Sequence, residues 1–227
     1  MAAVNAVWRL HIRGEALCSN EGGTYKLFEF LHPNNSTKLG TNPTYHMLND
    51  GFQHLVKAHL RVYWEEVTGE KDLHKFGERK PAWDEIKALA QKILNQHIGG
   101  KTLGHFQELA KTKHDMKHEN QMLFNQDASL YSLLAIASST GAMGLMKDLL
   151  WLWVPMFLAC GKHKYAMHLL KFLQDLCDTY LERLSHIIQM HWLCNPKGTP
   201  DGFRGVDWWV ELNNLYTKVH QDCAQAK

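Results

Sequence analysis

Apolar positions along this chain recur at spacings of three and four, the mark of amphipathic helices. Ile86, Leu89, Ala90, Ile93, Leu94 and His97 trace one helical face. Pro81 stands where a first helical residue tolerates it, Asp84 and Glu85 suit the positive N-terminal end, and Gly99-Gly100 closes the segment. A second stripe, Leu48, Phe52, Leu55, Val56, His59, Val62 and Tyr63, closes near Thr68-Gly69. Ala166, Leu169, Leu170, Leu173, Leu176 and Cys177 form a third, and Leu181, Leu184, Ile188, His191 and Trp192 a fourth. Trp209, Leu212, Leu215, Tyr216 and Val219 form a fifth. Further helices are predicted over about 120–139, where Leu130, Leu133, Leu134 and Ala137 share a face, over about 142–159, and over a short segment from Val4 to Ile12.

The 142–159 segment is apolar nearly all round, so it is predicted to be central and the most buried helix. Its densest run, Leu149 to Cys160, falls short of the roughly 20 residues that a membrane-spanning helix needs. Lys147, Asp148, Lys162 and Lys164 bracket it. Pro155 removes a backbone donor and crowds the carbonyl of Trp151, which predicts a kink. Turn residues mark the connectors: a long irregular loop over 19–44, with Gly22-Gly23, Pro33-Asn34-Asn35-Ser36 and Asn42-Pro43, a charged loop over 70–80, and a dense turn over 195–202. No alternating stretch reaches strand length. The expected fold is all-α, an irregular bundle of about seven or eight helices forming a single helical domain over 1–227.

Composition changes this picture little. Hydrophobic residues at 45 % and charged residues at 21 % are those of an ordinary globular chain and exclude intrinsic disorder. Lysine plus arginine, 25, against aspartate plus glutamate, 23, leaves +2, too little to imply a nucleic-acid partner. Half-protonated, the 15 histidines would add roughly 7 positive charges, although scattered surface positions explain them without a switching role. The cysteines, Cys18, Cys160, Cys177, Cys194 and Cys223, are odd in number and widely spaced, unlike a secreted disulfide framework. The opening residues, Met1 to Arg9, lack the basic and apolar regions of a signal peptide. An intracellular protein, nuclear or cytoplasmic, with no membrane partner is the expectation.

Candidate chemistry is sparse. His114 and His118 stand at i and i+4, a spacing that turns two imidazoles to one metal. Lys111, Lys113 and Lys117 surround them and repel a cation, and no third ligand is identifiable, so no metal is expected. GxSxG, GxGxxG and P-loop patterns are missing; Gly99-Gly100-Lys101-Thr102 lacks the first glycine at its required distance. No cofactor is expected. Tryptophans can stack on bases, but Trp151 and Trp153 lie in the most apolar helix, where packing explains them. Trp208 and Trp209 cannot both face the core from one helix.

From about Leu158 onward the residues resemble a known family. The run Ala159-Cys160-Gly161-Lys162-His163-Lys164-Tyr165-Ala166, the helix of Leu169, Leu170 and Leu173, then Asn195, Gly198 and Pro200-Asp201-Gly202-Phe203 carry the resemblance. Asp207, Glu211 and Asn213-Asn214 follow, and the segment Phe52 to Trp64 and Asn125-Gln126-Asp127 match earlier parts. The family is an uncharacterised one, expanded in mushroom-forming fungi and transposon-derived in look. The resemblance implies a chain corresponding to the C-terminal helical portion of a larger family domain. Its layout is similar to a ribonuclease-H-like transposase split by a helical insertion. On that analogy Glu211 matches the last carboxylate of a metal-binding acidic triad, with Asp207 one turn before it, so both are weak catalytic candidates.

These readings converge on a non-enzymatic helical domain of that family. The rival readings are a remnant of a ribonuclease-H-like nuclease with Mg²⁺ near Glu211, and a module binding protein or nucleic acid. Met1, Val4, Val7, Trp8, Leu10 and Ile12 form an apolar stretch without a preceding cap. It suggests a face that self-association or a missing N-terminal segment would cover.

Overall fold

A computed structural model of the chain describes residues 2–12, 24–35, 38–39, 43–99, 104, 108 and 116–225. Among these residues the fold is all-α, as the periodicity predicts, with ten helices and one two-residue strand pair. α1 (Ala2–Val7) runs on through a wider π-type turn, Trp8–Ile12. α2 is Thr24–Leu31, α3 Tyr45–Thr68 and α4 Leu73–Glu78. α5 (Trp83–Ile93) also widens into a π turn, Leu94–Ile98. α6 is Met116–Thr140 and α7 Met143–Ala159. α8 (His163–Gln174) ends in a third π turn, Asp175–Thr179. α9 is Glu182–His191 and α10 Val206–Gln225. Between the last two, β1 (Leu193–Cys194) pairs antiparallel with β2 (Arg204–Gly205), Leu193 opposite Gly205. The chain divides into two compact units, Met1–Tyr131 and Ser132–Lys227.

The first unit is built on an aromatic core. Trp8 meets Phe28 edge-on at 5.3 Å, Phe28 meets Phe52 at 5.5 Å, and Phe52 stacks on Phe124 at 6.0 Å. Such offset and edge-to-face pairs add to what burial alone contributes. α3 comes close to α2 because residue 51 is glycine: a Cβ there would lie inside the Phe28 ring. Thr44 caps the start of α3, its hydroxyl accepting from the Met47 N–H at 3.5 Å, and Gly69 ends it with φ +70°.

Three expectations are corrected in this unit. α2 stands inside the segment expected to be an irregular loop over 19–44, because Phe28 anchors it in the core. The charged loop over 70–80 contains α4, capped by the Asp72 carboxylate accepting from the His74 N–H at 3.0 Å and held by the buried Phe76. Most of the N-terminal stretch expected to need cover from self-association or a missing segment lies in this chain's own core: Val4, Val7, Trp8 and Ile12 are buried, Leu10 is exposed, and Met1 lies outside the described residues.

In the second unit α7 and α8 form a helical hairpin around Gly161, whose φ of +74° suits glycine. Trp153, Phe157, Ala166, Leu173 and Leu176 are buried. The Ser185 hydroxyl donates to the Leu176 carbonyl at 2.9 Å and ties α9 to the end of α8. The turn over 195–202 folds on Asn195, whose carboxamide donates to the Thr199 carbonyl at 2.8 Å and accepts from the Gly198 N–H at 2.9 Å. Phe203 then lies over Gly141, its N–H donating to the Ser139 carbonyl at 3.0 Å.

α7 is central on one side alone. Leu149, Leu150, Trp153, Val154, Met156 and Phe157 are buried, whereas Leu145, Trp151, Leu152 and Leu158 form an exposed stripe. The helix expected to be central and the most buried thus has an open side as well, and it continues through Pro155 to Ala159. No helix among the described residues is long and apolar enough to cross a membrane.

Candidate functional site

The carboxylates singled out by the sequence, Asp207 and Glu211, lie one turn apart on the exposed surface of α10. Glu211 borders an open groove of about 350 Å³ whose other lining residues are Trp208, Leu212, Asn214, Leu215 and Lys218. Its neighbours there are apolar side chains, the Asn214 carboxamide and the Lys218 ammonium group, and among the described residues no carboxylate from another element lines the groove. Of the histidine pair, His114 lies outside the described residues, while His118 stands half-buried in α6. No group of three or more His, Cys, Asp or Glu among the described residues is placed to hold a metal ion.

A polar centre lies in the first unit, where α3, α6 and the π turn after α5 meet around Asn125. Asn125 is 5 % exposed, and its carboxamide is fully used. Its Nδ2 donates to the Tyr63 hydroxyl at 2.6 Å and to the His97 carbonyl at 3.0 Å. Its Oδ1 accepts from Gln121 Nε2 at 3.0 Å and from His59 Nδ1 at 3.0 Å. Four contacts satisfy two donor hydrogens and two lone pairs, so the carboxamide can stand in only one orientation. That orientation turns Oδ1 toward His59 Nδ1, which Gln121 Nε2 also approaches at 3.2 Å.

The π turn explains why His97 offers its carbonyl. Gly99 N–H reaches back to the Leu94 carbonyl at 3.1 Å, five residues away, and the carbonyls at a helix end have no partner within the helix. Asn125 supplies that partner for His97. The imidazole of His97 stacks flat on Tyr63, centroids 4.2 Å apart and planes 8° apart. Its buried Nε2 has no hydrogen-bond partner among the described residues, and the Glu66 carboxylate stands 3.5 Å away. Nearby, His11 Nε2 and the Asp127 carboxylate meet at 2.7 Å, and the Tyr131 hydroxyl donates to Asn49 Oδ1 at 2.6 Å.

Burial dominates the electrostatics of this centre. It lowers the pKa of His59, against the smaller upward pull of Asn125. It also lowers that of His97, opposed by Glu66 and helped by the charge of His118. Burial raises Tyr63 and Tyr131. Both shifts favour the neutral imidazole in the folded chain over the unfolded one. Unfolded chains bind more protons, so stability rises with pH through this window and is lost as pH falls below the ordinary histidine value of about 6.5. Urea unfolding at pH 7.5 and pH 5.5 is expected to show a lower midpoint at pH 5.5, and His59→Gln with His97→Gln is expected to flatten that dependence. The centre is a lock between helices; none of its groups pairs a nucleophile with a base.

Sequence reasoning placed His59, Tyr63 and His97 on apolar helical faces but had no signal that Asn125 joins them. The available hints are that Asn125 belongs to a run that carries the family resemblance and that it stands within a helix, where asparagine is a poor interior residue.

The second unit leaves many large apolar side chains open. Leu181, just before α9, is 81 % exposed, and α9 buries Ser185 but exposes Leu184, Ile187 and Met190. α10 exposes Trp208, Trp209, Val210, Leu212, Leu215, Tyr216 and Val219. The fourth and fifth sequence stripes are thus helical as predicted, yet Leu181, Leu184, Leu212 and Leu215 do not enter the core. Contiguous apolar patches of this kind mark interaction surfaces in folded proteins.

The profile of a family described as of unknown function, DUF6589, matches residues 1–225. No curated protein and no solved structure matches the chain.

Proposed function

The chain belongs to the DUF6589 family, and we propose that it is a non-enzymatic helical module that binds other proteins through the open apolar faces of its second unit. The observation that carries this reading is the succession of exposed large apolar side chains on α7, α9 and α10, with Leu152, Leu184, Met190 and Leu215 at their centres. Burying such surface is the main driving force of protein association. The first unit is built around its aromatic core and the Asn125 centre, with Leu27 and Phe30 of α2 and Trp83 of α5 also exposed. The nuclease reading needs Asp207 and Glu211 within a shell of carboxylates from several elements, and Glu211 instead has tryptophan, leucine and lysine beside it.

Under the same proposal the chain descends from the transposon-derived fungal genes it resembles and works inside the cell. The free thiols of Cys160, Cys177 and Cys194 suit a reducing compartment. Proximity labelling in cells expressing the full chain tests the binding role. The Leu184→Glu/Met190→Glu variant, with an unchanged circular dichroism spectrum, is expected to lose the neighbours that the parent enriches. Unchanged neighbours would contradict the proposal. So would Mg²⁺-dependent nicking of supercoiled DNA by the parent that Glu211→Gln abolishes.

A further inference from the structure

We propose that α10 pairs antiparallel with α10 of a second copy of this chain, about a two-fold axis near Asn213 and Asn214. The inference rests on the binding role just given and names one partner for it. Trp208, Leu212, Leu215 and Val219 follow one another at spacings of four, three and four, the seam spacing of a coiled coil. All four are open, with 48 %, 40 %, 58 % and 52 % of their surface exposed. Among the described residues, the groove beside this seam is lined by α10 alone.

Two features favour a second copy, and the antiparallel sense. Turned end for end, the seam matches itself: Trp208 meets Val219 of the second copy, and Leu212 meets Leu215. The largest knob then faces the smallest, as interdigitating layers require. Along one flank stand Glu211 and Lys218, seven residues apart and both exposed. In the antiparallel pair Glu211 of each copy lies beside Lys218 of the other, so both ion pairs form at once. In a parallel pair the two flanks face differently, and neither Glu211 nor Lys218 meets its opposite. On the other flank Trp209 lies beside Tyr216 of the second copy, adding two aromatic contacts.

The area is sufficient. Aromatic side chains bury ~150–250 Å² each when covered, so the exposed parts of the seam and its aromatic flank supply on the order of 500 Å² per copy. A two-fold pair then buries about 1,000 Å², the lower bound for a specific interface.

Sedimentation velocity of the full chain over the micromolar range tests the pairing. The parent is expected to dimerise with concentration. Leu212→Glu/Leu215→Glu, whose side chains are exposed and whose fold is checked by circular dichroism, is expected to remain monomeric. Lys218→Glu alone and Glu211→Lys alone each juxtapose like charges twice and are expected to weaken the dimer about tenfold. Glu211→Lys/Lys218→Glu is expected to restore it to within about threefold of the parent. A parent that is monomeric throughout, or a dimer indifferent to the single reversals or not rescued by the double one, would overturn the proposal. The labelling experiment at Leu184 and Met190 reads a different helix. A monomeric chain that still loses neighbours there would remove self-pairing and leave the binding role standing.

Discussion

Asn125→Ala is expected to destabilise the first unit by about 3 kcal/mol, because it strands several buried groups at once. The Tyr63 hydroxyl, the His97 carbonyl, His59 Nδ1 and Gln121 Nε2 all lose the partner they share. A lone hydrogen bond contributes roughly 1 kcal/mol; the larger figure reflects unmet desolvation of the groups left behind. Urea unfolding at pH 7.5 measures it. Tyr63→Phe alone removes one of these contacts and is expected to cost about 1 kcal/mol. In the double variant the Tyr63 hydroxyl no longer needs Asn125, so the combined cost is expected to fall short of additivity by about 1 kcal/mol. Strict additivity would mean that the two side chains do not act through each other.

Phe52→Ala is expected to cost about 3–5 kcal/mol, the range for emptying a buried aromatic site. Phe52 is fully buried and lies between Phe28 of α2, Phe124 of α6 and Tyr131, at 5.5, 6.0 and 6.1 Å between ring centroids. Three helices depend on one ring, and a rigid aromatic cluster collapses poorly into the space. Phe52→Leu keeps most of the volume and is expected to cost less than half as much. Trp209→Ala, on the open face of α10, is expected to change monomer stability by less than about 0.5 kcal/mol. A Phe52→Ala cost near 1 kcal/mol, read by the same urea unfolding, would place the core of this unit elsewhere.

The helices were legible wherever a stripe was long and its ends were marked. Leu48 to Tyr63 predicts α3, and Gly69 closes it in the left-handed region. Pro81, Asp84 and Gly99 bound α5 and its π turn in the same way. Short helices between turn residues were not legible. Gly22-Gly23 and Pro33 flank α2 so closely that its one buried anchor, Phe28, left too short a pattern to read. The identity of each stripe's partner was not legible at all. Periodicity reports that a helix has an apolar face, and α9 and α10 show that such a face need not enter the core. The polar centre was half legible, because His59 and His97 interrupt apolar stripes. Asn125 joins them across 66 and 28 residues, a separation that no local pattern encodes.

Some residues that carry the family resemblance do structural work. Asn195 and Gly198 shape the turn before β2, Phe203 packs on Gly141, and Asn125 sits at the polar centre with His59 and Tyr63. Glu211, by contrast, meets solvent and the α10 groove. These structural residues stand in both units, and it is the exposed apolar side chains of α7, α9 and α10 on which we read the second unit as a contact surface.

Binding of anilinonaphthalene sulfonate to the full chain, measured alongside its near-ultraviolet circular dichroism, tests that reading most directly. An open apolar face binds the dye while the side chains remain fixed, whereas a loosened core binds it only after the near-ultraviolet signal is lost. The account predicts dye fluorescence from a chain with intact near-ultraviolet ellipticity and cooperative thermal unfolding, reduced in Leu184→Glu/Met190→Glu without change in either. A folded chain that leaves the dye unbound would mean that the faces of α7, α9 and α10 are closed, and would contradict the account.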